Sequence, residues 1–204
     1  MQTHTIAVLV ENQFGVLCRV AGLFSARGFN IDSLTVGETQ HQDVSRMTVV
    51  ARGDERVVQQ IVRQLDKLID VISIEILAPQ DSIDRELVLI KVASDVNNRN
   101  DLMGVVNNFR GKIVDVQEDS MTIEATGTEA KIDAMLELLK AFGVIEVVRT
   151  GKIAISRKTP LTAPEAREVE VVKVKKSKAS KSEKAVSKGS DKKAKMEAGT
   201  DTWM

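Results

Sequence analysis

An α+β fold built from two consecutive βαββαβ units is what this sequence predicts, and three observations carry that expectation. Apolar residues alternate at Ile6, Val8 and Val10, then recur at helical spacing at Val16, Leu17, Val20, Leu23 and Phe24, the change of period expected where a strand passes into a helix. The same order of patterns restarts at Glu86. Short segments also repeat: Met47–Gly53 answers Met121–Gly127, each running into a helical pattern, and Arg27–Ile31 answers Arg110–Val114, each between a helix and a strand.

Taken in order, the first unit reads as a strand around Ile6–Val10, a helix closing near Arg27-Gly28, strands at Asn30–Val36 and Ser45–Ala51, a helix carrying Val57 to Leu68, and a strand at Val71–Leu77. This order suits a ferredoxin-like layer, two helices over one face of a four-stranded antiparallel sheet. The reading divides the chain into residues 1–78, a linker at 79–85 around Pro79, a second ferredoxin-like domain at 86–157, and a tail at 158–204. The second copy has fewer residues between its matched segments, and the missing ones are expected in the polar hairpin Gly37–Asp43.

Charge separates the tail from the rest. From Arg157 onward the chain holds 13 of its 29 Lys and Arg but 7 of its 29 Asp and Glu, so the part before it is acidic and the tail basic. Rich in Lys, Ser and Ala and nearly without apolar residues after Val174, the tail is expected to be disordered, because it cannot bury enough surface to offset the entropy of ordering. One cysteine, Cys18, allows no internal disulfide. No apolar run approaches the roughly 20 residues of a spanning helix, and the first strand carries no basic flank or small-residue cleavage site, so a cytoplasmic protein without membrane contact is expected.

The stretch from Glu11 to Leu34 carries the candidate chemistry. Gly15 stands at a helix start, where unpaired backbone N–H groups and the positive end of the helix dipole suit a carboxylate. Asn12 and Asn30 flank the helix and offer side-chain oxygens to an ammonium group. The pattern fits a small zwitterion. From the residues alone, Gly15 reads equally as a turn glycine and Asn30 as a turn residue. Gly22, inside the helix, marks either close helix packing or a contact with a second chain. His4 and His41 have no metal spacing, and no set of acids, bases and nucleophile converges on a catalytic site.

Glu11-Asn12, Gly15-Val16-Leu17, Arg19-Val20, Gly22-Leu23-Phe24, Arg27 to Ile31, Ser33 to Val36 and Ser45 to Thr48 together resemble the regulatory (small) subunit of acetolactate synthase. Glu86–Lys91 and Phe109–Asp115 extend the likeness over roughly residues 4 to 157. The resemblance implies an N-terminal ACT domain that pairs with a second copy. It also implies a non-catalytic role: activating a large catalytic subunit that holds thiamine diphosphate, Mg and FAD, and conferring feedback inhibition by a branched-chain amino acid, usually valine. The effector site it implies comprises Asn12, Gly15, Val16 and Leu17 of one protomer with Asn30 and Ile31 of another. Phe14 departs from the smaller residue common in that family and bears on the size of the side-chain pocket.

Two other readings compete. A free-standing ACT amino-acid sensor for a different enzyme would show the same N-terminal unit. An RNA-binding module shares the fold and tolerates a Lys-rich tail, but it stacks bases on aromatic residues of its central strands. Here Tyr is absent and the five Phe fall in expected loops or helices, which argues against nucleic acid.

Overall fold

The computed structural model describes residues 2–158. In the first unit β1 (Gln2–Glu11), α1 (Val16–Ala26), β2 (Ile31–Glu38), β3 (Val44–Gly53), α2 (Glu55–Leu65) and β4 (Val71–Leu77) follow in the expected order. The second repeats it with β5 (Ser82–Ala93), α3 (Arg99–Asn108), β6 (Lys112–Val116), β7 (Ser120–Gly127), α4 (Glu129–Leu139) and β8 (Val144–Arg149), and adds β9 (Ile153–Ser156). Strand pairing is antiparallel throughout, in the orders β2-β3-β1-β4 and β6-β7-β5-β8. These are two ferredoxin-like layers.

Each unit has its own core between sheet and helices. In the first, Ile6, Val8 and Val10 of β1 meet Val16, Val20 and Phe24 of α1 and Val58, Ile61 and Leu65 of α2. Leu17, counted above on the apolar face of α1, points outward instead and is 44% exposed. The buried stripe is the narrower i, i+4, i+8 set. Gly22 does not serve close packing among the described residues: a Cβ placed there would meet none of them within 4 Å.

Local chemistry sets the helix ends. Asp54 accepts from the Val57 N–H at 2.8 Å and opens α2. At the end of α1, Gly28 (φ +66°) donates to the Ser25 carbonyl and Phe29 to that of Phe24, while the two Phe rings meet edge to face at 6.1 Å. This pair of bonds with its apolar contact is a Schellman closure, which needs a left-handed residue and finds it in glycine. α3 closes on the same bonds, but with Arg110 (φ +52°) in the left-handed place and Gly111 one step later. The repeated Arg-Gly pair therefore occupies neighbouring, not identical, positions in the two copies.

The shorter second copy is corrected in the same way. Ten residues lie between the paired positions Val36 and Met47, and four between Val116 and Met121, so most of the loss is in the hairpin as expected. The remainder falls just before the strand. Six positions separate Arg27, where α1 ends, from Ser33, opposite Val50, but three separate Phe109 from Lys112, opposite Glu124. The segment around Asn30 is thus an addition peculiar to the first unit.

Residues 79–85, expected as a linker, are ordered. Pro79–Asp81 form one 3₁₀ turn, and Ser82–Arg85 are the first part of β5, paired with β9 from Ser82↔Ser156 to Arg85↔Ile153. Strand pairing outweighs the turn signal of Pro79, because proline at the first position of a 3₁₀ turn costs no hydrogen bond. The β5–β9 ribbon reaches the open face of the first sheet, where Ala154 packs with Ala7 and Leu77. The turn before β9 also docks on β2: Thr35 Oγ1 donates to the Thr150 carbonyl at 3.3 Å and Lys152 N–H to Ser33 Oγ at 3.1 Å. Except for Lys158, the tail lies outside the described residues.

Candidate functional site

The entry to α1 is built differently from the entry to α2 in the same unit. α2 is capped by Asp54. At α3, the Asp95 carboxylate accepts from the backbone N–H groups of Asn97 and Asn98 at 2.9 and 2.8 Å. α1 opens on Gly15 (φ +84°), with no side-chain cap and no acidic residue in its first turn. Among the described residues, no side-chain carboxylate meets the first-turn amides of α1, so its positive end is open to a carboxylate from outside.

Arg19 adds a cation to this entrance. Its guanidinium pairs with Asp70 through two bonds, Nε to Oδ2 at 2.7 Å and Nη2 to Oδ1 at 2.9 Å, and its Nη1 lies 3.5 Å from where a Cβ on Gly15 would stand. Asp70 is nearly buried, and its carbonyl accepts from the Glu11 N–H at 2.9 Å. The clamp thereby fixes the loop before α1 to the turn before β4. Sequence reading missed this pair. Its one local signal is an arginine four residues after the glycine; Asp70 lies 51 positions away.

Asn12 does more structural work than expected. Its amide donates to the Gln42 carbonyl at 2.8 Å and to Glu38 Oε1 at 3.2 Å, its Oδ1 accepts from Ser45 Oγ at 3.0 Å, and its N–H bonds the Asp43 carbonyl. The β2–β3 hairpin holds it in place, with one lone pair of Oδ1 remaining. Val16 is buried in the core and has only its backbone to offer a ligand; Leu17 is exposed beside it. Phe14 is fully exposed and fills no pocket among the described residues.

Asn30 and Ile31 lie elsewhere. They follow the other end of α1, about 15 Å from its start for a helix of 11 residues. Asn30 donates to Asp32 Oδ1 at 2.9 Å, and among the described residues its own Oδ1 has no donor. Ile31 is half-buried against the core and begins β2, an edge strand. The chain therefore gathers Asn12 and Gly15–Leu17 at one end of α1, Asn30 and Ile31 at the other, and does not by itself bring the two groups together.

Duplicated ferredoxin-like units, the first with an uncapped helix entry and an added segment before its edge strand, define the ACT class of regulatory domain. The AHAS small subunit-like ACT domain matches residues 6–73, and the small subunit of acetolactate synthase matches residues 85–158. The chain belongs to the acetolactate synthase small-subunit family. It is 53% identical over 156 residues to a probable acetolactate synthase small subunit of Methanothermobacter thermautotrophicus, covering 76% of this chain and 93% of that one. Over 155 residues it is 49% identical to the acetolactate synthase small subunit of Mycolicibacterium smegmatis, covering 76% and 91%. The crystal structure of the Thermotoga maritima small subunit is 38% identical, with a TM-score of 0.73, covering 78% of this chain and 99% of that one. Among the described residues, no helix is long and apolar enough to cross a membrane.

Proposed function

We propose that this chain is the non-catalytic regulatory subunit of a cytoplasmic acetolactate synthase. It activates a large subunit carrying thiamine diphosphate, Mg and FAD, and confers feedback inhibition by a branched-chain amino acid, valine foremost, in valine, leucine and isoleucine synthesis. Residues 1–78 form the sensing ACT domain and residues 86–157 the second domain. The uncapped, cation-flanked start of α1 carries this reading, because it is the one helix entry of the first unit built to take an external carboxylate.

In this reading two ACT sheets pair side by side and cover an exposed strand edge. The α1 entry of one protomer then faces Asn30 and Ile31 of the other. The ligand carboxylate docks on the first-turn amides at Gly15–Leu17, and its ammonium meets the free oxygen of Asn30 and the remaining lone pair of Asn12. A ligand that bridges two chains binds the dimer better than the separated chains, which links occupancy to assembly. The outward Leu17 and the open surface at Gly22 fit such a contact.

Asn30→Ala is expected to remove a hydrogen bond to a charged group, worth about 1.5–3 kcal/mol, and so to raise the inhibitory concentration of valine roughly tenfold to hundredfold. Inhibition curves of the reconstituted complex measure this; an unchanged midpoint would exclude Asn30 from the site. The purified chain alone is expected to show no acetolactate synthesis above a blank, yet to raise turnover by its large subunit. Removing residues 158–204 is expected to leave melting temperature and effector response nearly unchanged. Of the described residues it takes only Lys158, whose ion pair with Asp81 is exposed and worth little. A large fall in melting temperature on truncation would show that the tail is structural.

A further inference from the structure

The outer face of the first sheet, opposite its helices, holds charged groups that the effector site does not use. Strand alternation places Leu9 of β1, Arg46 of β3 and Ser73 and Glu75 of β4 on this face. Beside the point where Ala154 of β9 packs on the sheet lies a cavity of about 210 Å³. Leu9, Val44 and Ile155 give it apolar walls, Arg46 and Glu75 line it, and Glu38 stands at the hairpin side.

Arg46 and Glu75 form no ion pair with each other. The half-buried Arg46 guanidinium donates from Nη2 to the Ala154 carbonyl at 3.0 Å, and among the described residues no carboxylate lies within ion-pair distance of it. Burial lowers its pKa below the ordinary arginine value, a shift that the charge of Glu75 opposes. Among the described residues, Glu75 Oε2 is buried with no hydrogen-bond partner, as is Ser73 Oγ two residues before it. A buried polar atom left unpaired is costly, and the carboxylate that carries it lines the cavity, open to a donor from outside the chain. Arg46 and Glu75 on a small, largely apolar cavity complement a zwitterion: carboxylate on the guanidinium, ammonium on the Glu75 carboxylate, hydrocarbon against the three aliphatic walls.

We propose that this cavity binds one α-amino acid with a small aliphatic side chain per chain, at a site separate from that between α1 and β2. The two sites share a support. Glu38 lines the cavity and also accepts from the Asn12 amide, so occupancy of the cavity bears on the loop that opens α1.

The test uses the full chain carrying Asn30→Ala, which weakens the effector site, and follows the methyl resonances of Leu9, Val44 and Ile155 during titration with L-valine and L-leucine. Saturable shifts of these methyls are expected at millimolar ligand. 3-Methylbutanoate and 2-methylpropylamine, each lacking one charge, are expected to bind at least about tenfold more weakly, because each loses one charge-assisted hydrogen bond. Glu75→Gln and Arg46→Met are expected to weaken valine binding to the same degree. Methyls that do not move, or analogues that bind as tightly as the amino acids, would overturn the proposal whether or not the α1–β2 site is correct.

Discussion

Gly15→Asp is expected to leave the complex active but nearly insensitive to valine. The introduced carboxylate would sit at the uncapped entry of α1, beside Arg19 Nη1, which is 3.5 Å from the Cβ position. It would satisfy the first-turn amides from within, as an acidic cap does, and repel the ligand's carboxylate. Losing two charge-assisted hydrogen bonds at about 1.5 kcal/mol each corresponds to a rise in inhibitory concentration of at least about a hundredfold. The substitution also places a side chain at φ +84°, a backbone cost of about 1–2 kcal/mol that lowers the melting temperature without abolishing the fold. Activation of the large subunit is the control. If the variant activates and is inhibited like the parent, the carboxylate does not dock at Gly15.

Gly151→Ala is expected to have the largest effect on stability. Gly151 has φ +82°, and a Cβ there would stand 2.4 Å from Ser33 Oγ and 3.1 Å from Thr35 Oγ1. Both contacts are on β2, so the strain falls on the docking of the β8–β9 turn against the first sheet. Left-handed backbone and overpacking together amount to about 2–4 kcal/mol, or a melting temperature lower by roughly 5–15 °C. Ser33→Ala removes the clashing oxygen, so the double variant is expected to be less destabilised than the sum of the two single changes by about 1 kcal/mol or more. Strict additivity would show that the turn does not rest on β2.

The order of strands and helices was legible in the sequence because period-2 and period-3.6 patterns alternate cleanly, and the duplication was visible in the repeats at Met47 and Met121. The β5–β9 ribbon was not. Pro79 and the polar residues after it carry a turn signal, and the partner strand that overrides it lies about 70 positions away. Gly15 and Asn30 could be singled out because a helix-start glycine and an asparagine beyond a glycine are local signals. Leu17 was misread as core, since two adjacent apolar residues cannot both lie at the centre of one helix face. The Arg19–Asp70 clamp and the Arg46–Glu75 cavity join segments distant in sequence, and only the fold brings them together.

The central claim is that one effector site is shared between two chains, and mixing two defective variants tests it most directly. Gly15→Asp damages the α1 side of the site and Asn30→Ala the β2 side, so a dimer with one chain of each kind contains one doubly damaged site and one intact site. Calorimetric titration with valine after subunit exchange is expected to recover binding at the parental affinity, absent from either variant alone, in proportion to the mixed dimers formed. Failure of the mixture to bind at parental affinity, once exchange has been verified, would contradict a site shared between protomers.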